Sequence, residues 1–183
     1  HQPTLVKRVL VHSYASDDQI HTSDRIYLTK LISADTTHFI YSDTIFTKEL
    51  YQKGRMRYGH PFMKLTQNDS SLYFDVNAPL TAQKNFEVNG QTFKISRYSY
   101  NLENSAGEET NYFYHPHYGL LVVYNEGCFP SLAYTMELDQ TSKSLVDRIL
   151  QDRTGFYIEP DMSIQDSWID ADTEALLDSA IKK

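Results

Sequence analysis

The stretch from Phe86 to Leu138 constrains the fold more than any other part of the chain. Phe86-Glu87-Val88 leads into Asn89-Gly90. An Asn-Gly pair between alternating apolar residues marks a two-residue hairpin, because a type I′ turn needs φ > 0 at both central positions. The return strand runs from Gln91 to about Asn101. Ser105-Ala106-Gly107-Glu108 breaks the pattern, Tyr112-Phe113-Tyr114 resumes it, and His115-Pro116-His117-Tyr118-Gly119 turns it again. Leu120 to Tyr124 returns, and a loop at Gly127-Cys128-Phe129-Pro130-Ser131 follows. The last strand alternates cleanly: Leu132, Tyr134, Met136 and Leu138 share one face, and Ala133, Thr135 and Glu137 share the other. The series predicts a run of antiparallel strands joined by short turns.

Leu5 to Tyr14 reads as a first strand. Ala15 to Asp24, polar with Asp17-Asp18 and Ser23-Asp24, reads as a loop. Arg25 to Ser33 is a second strand, with Ile26, Leu28 and Ile32 on one face. Thr37 to Phe46 is extended and rich in Thr, Ile and aromatic residues. Thr47 to Arg57 fits a short helical turn ended by Gly54. Phe62 to Gln67 and Leu72 to Val76 form a hairpin about Asn68-Asp69-Ser70-Ser71. Asn77-Ala78-Pro79 ends that strand, and Leu80 to Asn85 is a connector. In the strand from Gln91, Phe93 and Ile95 have one parity, while Tyr98, Tyr100 and Leu102 have the other. A regular strand with one apolar face cannot change parity, so a β-bulge near Ser96-Arg97 is expected, and a bulge bends the sheet.

Two helices follow the strands. Thr141 or Ser142 caps the first, and Leu145, Val146, Ile149 and Leu150 form its apolar stripe up to Gly155. The second follows Asp172, with Leu176, Leu177, Ala180 and Ile181 on one face. Residues 156–171 between them are acidic and irregular. Strands followed by helices give an α+β domain. The expectation is one domain over residues 1–183: a large bent antiparallel sheet, half-barrel-like, with one packed helix, then a C-terminal acidic segment and helix over 156–183.

Composition narrows the functions available. The chain has 183 residues and a net charge of −7. That balance argues against nucleic acid, whose phosphates need clustered Lys and Arg. No apolar run approaches the roughly 18 residues of a membrane-spanning helix. The chain holds 14 Tyr and 9 Phe, residues that pack a ring on a sheet while a hydroxyl reaches outward. Its single cysteine, Cys128, excludes an internal disulfide. The chain starts at His1, and with the acidic, Tyr-rich composition this favours a periplasmic or secreted home.

No signature of a nucleotide cofactor or of the common hydrolases is present: no Gly-x-Gly-x-x-Gly, Walker loop, Gly-x-Ser-x-Gly or His-Glu-x-x-His. No cofactor is expected. His115 and His117 form an H-x-H pair, which on a strand would put two metal-ligating imidazoles on one face. Pro116 between them points to a turn instead. Cys128 with one of these histidines is a formal nucleophile–base pair, without a matching local signature. Asp161, Asp166, Asp170 and Asp172 lack the calcium-loop spacing. Tyr98, Tyr100, Tyr112 and Tyr114 lie on successive strands and can line a pocket for a small apolar or sugar ligand. The run from Tyr112 to Leu121 resembles hairpins of exported bacterial β-rich domains such as lipoprotein-carrier-like half-barrels. The likeness is confined to that run and carries no functional residue with it.

The expectation is a non-catalytic exported binding or interaction module, lined by Tyr98, Tyr100, Tyr112 and Tyr114, whose partner is a small apolar ligand or a protein. The alternative is a metal-dependent or Cys/His hydrolase built on His115 and His117.

Overall fold

The computed structural model describes residues 5–14, 20–33, 36–45, 62–66, 71–74, 76–101, 109–125 and 131–157. The described strands, in chain order, are β1 (Leu5–Tyr14), β2 (Ile20–Ser33), β3 (Thr36–Ser42), β4 (Phe62–Thr66), β5 (Ser71–Phe74), β6 (Val76–Val88), β7 (Gln91–Tyr100), β8 (Thr110–His115), β9 (Gly119–Asn125) and β10 (Ser131–Met136). One described helix, α1 (Gln140–Leu150), follows them. Each strand pairs antiparallel with the next, and β1 also pairs with β10, so the sheet closes on itself as an up-and-down barrel. The bent antiparallel sheet with a packed helix is therefore the architecture, with the bend carried through to closure. A closed barrel leaves no edge strand to template aggregation.

Register fixes two faces. Val11 lies opposite Tyr134, Val9 opposite Ile26, Leu28 opposite Tyr41, and Tyr98 opposite Tyr112. These residues turn inward, because rings on strands far apart in the sheet meet there: Phe39 of β3 with Tyr114 of β8, and Tyr41 of β3 with Tyr134 of β10. Eight strands already enclose a space that side chains fill. This wider barrel fills its centre with whole aromatic rings.

The opposite face carries α1, which packs on β6, β9 and β10 through buried Leu145, Val146 and Ile149. After the helix, Phe156 and Tyr157 extend this outer layer. Phe156 meets Phe86 at 5.7 Å and Phe113 at 5.3 Å, and Tyr157 meets Tyr124 at 5.1 Å.

Several local expectations are corrected by pairing. Residues Ile20 to Asp24 belong to β2, not to a loop, because they continue the ladder with β1. Leu80 to Asn85 is not a connector: β6 runs on through it, held by the ladder with β7. Pro79 is tolerated since that ladder begins only at Leu80 opposite Tyr98. The register shift falls on β6, between Leu80 and Ala82, rather than within β7 at Ser96-Arg97. The parity change in β7 has another cause. Ile95 is buried on the helix-bearing face and Tyr98 on the lumen face, so this strand is apolar on both sides.

Helix α1 is capped by Asp139, whose carboxylate accepts from the Thr141 and Ser142 N–H groups. Ser142 is buried inside the first turn, where its hydroxyl accepts from the Met136 N–H. The helix ends at Leu150, short of Gly155. Leu138 leaves the inward face of β10 altogether, lying in the turn to α1. The expected C-terminal helix, the 47–57 turn, Cys128 and the aspartates of 161–172 lie outside the described residues.

Asn89 and Gly90 form the β6–β7 turn with φ of 51° and 75°. A β-carbon at Gly90 would meet nothing within 4 Å. Gly90→Val is therefore expected to cost only the backbone strain, about 1–2 kcal/mol. Denaturant unfolding with an unchanged slope reads this directly, and a stability equal to wild type would rule out a strained turn.

Candidate functional site

The four tyrosines singled out from sequence share the lumen face. Tyr98 pairs with Tyr112, Tyr114 follows on β8 opposite Ser96, and Tyr100 lies opposite Thr110. Tyr98, Tyr112 and Tyr114 are buried, and Tyr100 is half-buried. Tyr98 and Tyr114 meet edge-on at 6.2 Å. Phe39, Tyr41 and Tyr134 complete the aromatic centre. Phe39 stands on the Tyr114 ring at 5.6 Å and 82°, and Tyr41 on Tyr134 at 5.3 Å and 63°. Edge-on contacts of this kind bring the positive ring edge to the negative ring face.

Tyr41 and Tyr134 escaped the sequence reading. Alternation placed Tyr134 on one face of its strand and the stretch holding Tyr41 read only as extended, and the contact between β3 and β10 exists only once the sheet closes.

The two hydroxyls differ. Tyr41 Oη accepts the Leu120 N–H at 2.8 Å. Burial pushes its pKa up, only partly offset by that hydrogen bond. Burial likewise pushes Tyr134 up, so both stay neutral in the physiological range. Tyr134 Oη has no hydrogen-bond partner among the described residues, although the residue is 2% exposed. A buried, unpaired hydroxyl costs about 1–3 kcal/mol. It is a donor and acceptor set among packed aromatic rings.

His115 and His117 take up different positions. The turn Pro116-His117-Tyr118 folds across one end of the barrel. His115 is half-buried against Phe93 and Tyr118, with ring centroids 5.7 and 5.2 Å apart. Its Nδ1 accepts the His117 N–H at 3.2 Å. His117 Nε2 lies 3.1 Å from the Lys7 ammonium, and Lys30 donates to the Pro116 carbonyl at 3.1 Å. Burial first, then the charge of its neighbours, lowers the pKa of both imidazoles. One ring nitrogen of each imidazole, His115 Nδ1 and His117 Nε2, thus faces an amide hydrogen and an ammonium respectively. Among the described residues no group of three His, Cys, Asp or Glu is placed to hold a metal ion.

No family model matches the chain, and neither a curated protein nor a solved structure does. No helix among the described residues is long and apolar enough to cross a membrane.

Proposed function

We propose that the protein is a non-catalytic binding protein that takes a small, neutral, largely aromatic or apolar ligand against the lumen tyrosines Tyr98, Tyr100, Tyr112 and Tyr114. The observation that carries this reading is the unpaired Tyr134 hydroxyl, buried beside Tyr41 on the same face. Ligand pockets are mostly apolar and fix orientation with a few polar groups. A neutral phenol surrounded by rings selects a neutral ligand offering one hydrogen-bonding group. The buried lumen carries tyrosine, phenylalanine and aliphatic side chains, which favour ring stacking over charge recognition. A periplasmic or secreted location goes with this reading, since a carrier shields a poorly soluble ligand from water.

The test uses N-phenyl-1-naphthylamine, a neutral aromatic amine whose emission rises in apolar surroundings. Saturable enhancement by the folded protein is expected, together with a rise in melting temperature through mass action. Tyr134→Phe is expected to raise the stability of the ligand-free protein by about 1 kcal/mol, since it removes an unpaired buried hydroxyl. It should also weaken the probe about fivefold, the value of one hydrogen bond of roughly 1 kcal/mol. Failure of the folded protein to bind the probe would refute the reading. Equal affinity in the variant would remove Tyr134 from it.

A further inference from the structure

Leu138 is the most anomalous residue of the described chain. It adopts φ 66°, in the left-handed region that bulky side chains avoid. It is also 96% exposed. Neither burial nor backbone preference accounts for a leucine there; glycine would fit the turn better. The turn itself is firmly held. The Glu137 N–H donates to the Arg8 carbonyl at 3.0 Å, and the Asp139 N–H to the Met136 carbonyl at 3.1 Å. Leu138 is thereby pointed outward from the end of the barrel where β10 stops and β1 begins.

The same end carries other exposed aliphatic and basic groups. Val6 on β1 is 39% exposed and Ile32 near the end of β2 is 52% exposed. Lys7 and Lys30 reach the 116–118 turn at this rim. Arg8 and Arg25 meet Glu137 at 3.7 and 2.8 Å and neutralise it. Asp139 is engaged as the helix cap. Among the described residues around Leu138, the four cations Lys7, Arg8, Arg25 and Lys30 outnumber the two carboxylates Glu137 and Asp139, a local excess of positive charge in a chain whose net charge is −7.

We infer that this end of the barrel docks on anionic lipid membranes, with Leu138 inserted among the acyl chains and Lys7 and Lys30 against the headgroup phosphates. The inference stands on Leu138 and its basic rim and is independent of what the lumen binds. A lipid surface fits better than a protein partner. A protein interface needs roughly 800 Å² per side with a contiguous apolar centre, and leucine is under-represented among binding hot spots. Among the described residues at this end, one leucine projects, with Val6 and Ile32 set apart among amines. That pattern suits shallow insertion with lysines snorkelling to phosphates. Burial and then the charge of Lys7 hold the Lys30 ammonium below its ordinary pKa, a cost that an approaching headgroup phosphate relieves.

The test is flotation of the whole chain with vesicles of phosphatidylcholine alone or of phosphatidylcholine mixed with phosphatidylglycerol. Binding to the anionic vesicles only is expected, and it should weaken as salt rises. Leu138→Gly relieves the backbone strain, so its melting temperature should rise while vesicle binding falls about tenfold, as for loss of one inserted leucine. Lys7→Gln and Lys30→Gln should each cost about fivefold, the contribution of one lysine near an anionic surface. Equal binding to neutral vesicles, no binding to either, or undiminished binding by the more stable Leu138→Gly protein would overturn the proposal. Self-association of the chain that Leu138→Gly abolishes would assign the surface to a second copy and overturn it as well.

Discussion

Gly119→Val is expected to destabilise the protein by about 4 kcal/mol, through left-handed strain, overpacking and a lost buried hydrogen bond together. Gly119 has φ 76°, nearly the same as the 75° of Gly90. The surroundings separate the two. A β-carbon at Gly119 would be 2.4 Å from Tyr41 Oη and 3.2 Å from Phe39 Cδ1. Tyr41 cannot retreat cheaply: it is fully buried, its ring abuts Tyr134, and its hydroxyl holds the Leu120 N–H. Displacing it would orphan that amide inside the barrel. A fall in melting temperature on the order of 10 °C follows for a chain of this size. The paired measurement on Gly90→Val is the control for backbone strain alone. If the two variants lose equal stability, the close approach of β9 to Tyr41 contributes nothing and the added side chain is accommodated at this end of the lumen.

Those two glycines show how far the sequence could be read. Asn89-Gly90 announces itself, since the pair encodes its own turn chemistry within four residues. Gly119 reads only as punctuation after Pro116, because the ring it must admit comes from β3, 78 positions earlier in the chain. Alternation in the same way revealed the lumen face of β10 through Leu132, Tyr134 and Met136, but not that Tyr134 would face Tyr41. Local pattern failed where tertiary pairing supplied the energy. The polar run Gln83, Lys84, Asn85 has weak strand propensity, yet the β7 ladder holds it extended. The parity change in β7 suggested a bulge because a one-faced strand was assumed. With α1 and Phe156 covering the outer side, Ile95 and Tyr98 are both core residues. The histidine pair was legible as a turn through Pro116, but its docking against Phe93 and Lys7 depends on the projection of the β6–β7 hairpin and on strand closure. Alternation groups Leu138 with Leu132, Tyr134 and Met136, and only the left-handed turn that caps β10 takes it off that face.

Asp152→Ala is expected to cost about 2–3 kcal/mol at neutral pH, less than a fully enclosed ion pair because the Lys84 side chain is 32% exposed. Asp152 is the knot that fastens the outer layer to the barrel. Its carboxylate takes the Lys84 ammonium of β6 together with the Thr154 N–H and hydroxyl, both at 3.0 Å. Lys84 also donates to the Thr154 hydroxyl at 2.6 Å. Beyond this knot, Arg97 donates to the Gly155 and Phe156 carbonyls at 3.1 and 2.9 Å and lies over the Phe156 ring. Loss of the carboxylate leaves the Lys84 ammonium half-satisfied and frees the lead into Phe156 and Tyr157. Burial opposes the ionised carboxylate, but the hydrogen bonds from Lys84 and Thr154 outweigh it and hold its pKa below the usual 3.8. The unfolded chain therefore takes up this proton first as pH falls. The stabilisation is complete above the unfolded-state value of 3.8 and disappears as pH drops through the lower folded-state value. Wild type and variant should differ fully in urea unfolding near pH 7 and converge well below pH 4. A difference that survives undiminished in acid would show that the side chain acts by packing rather than by its charge.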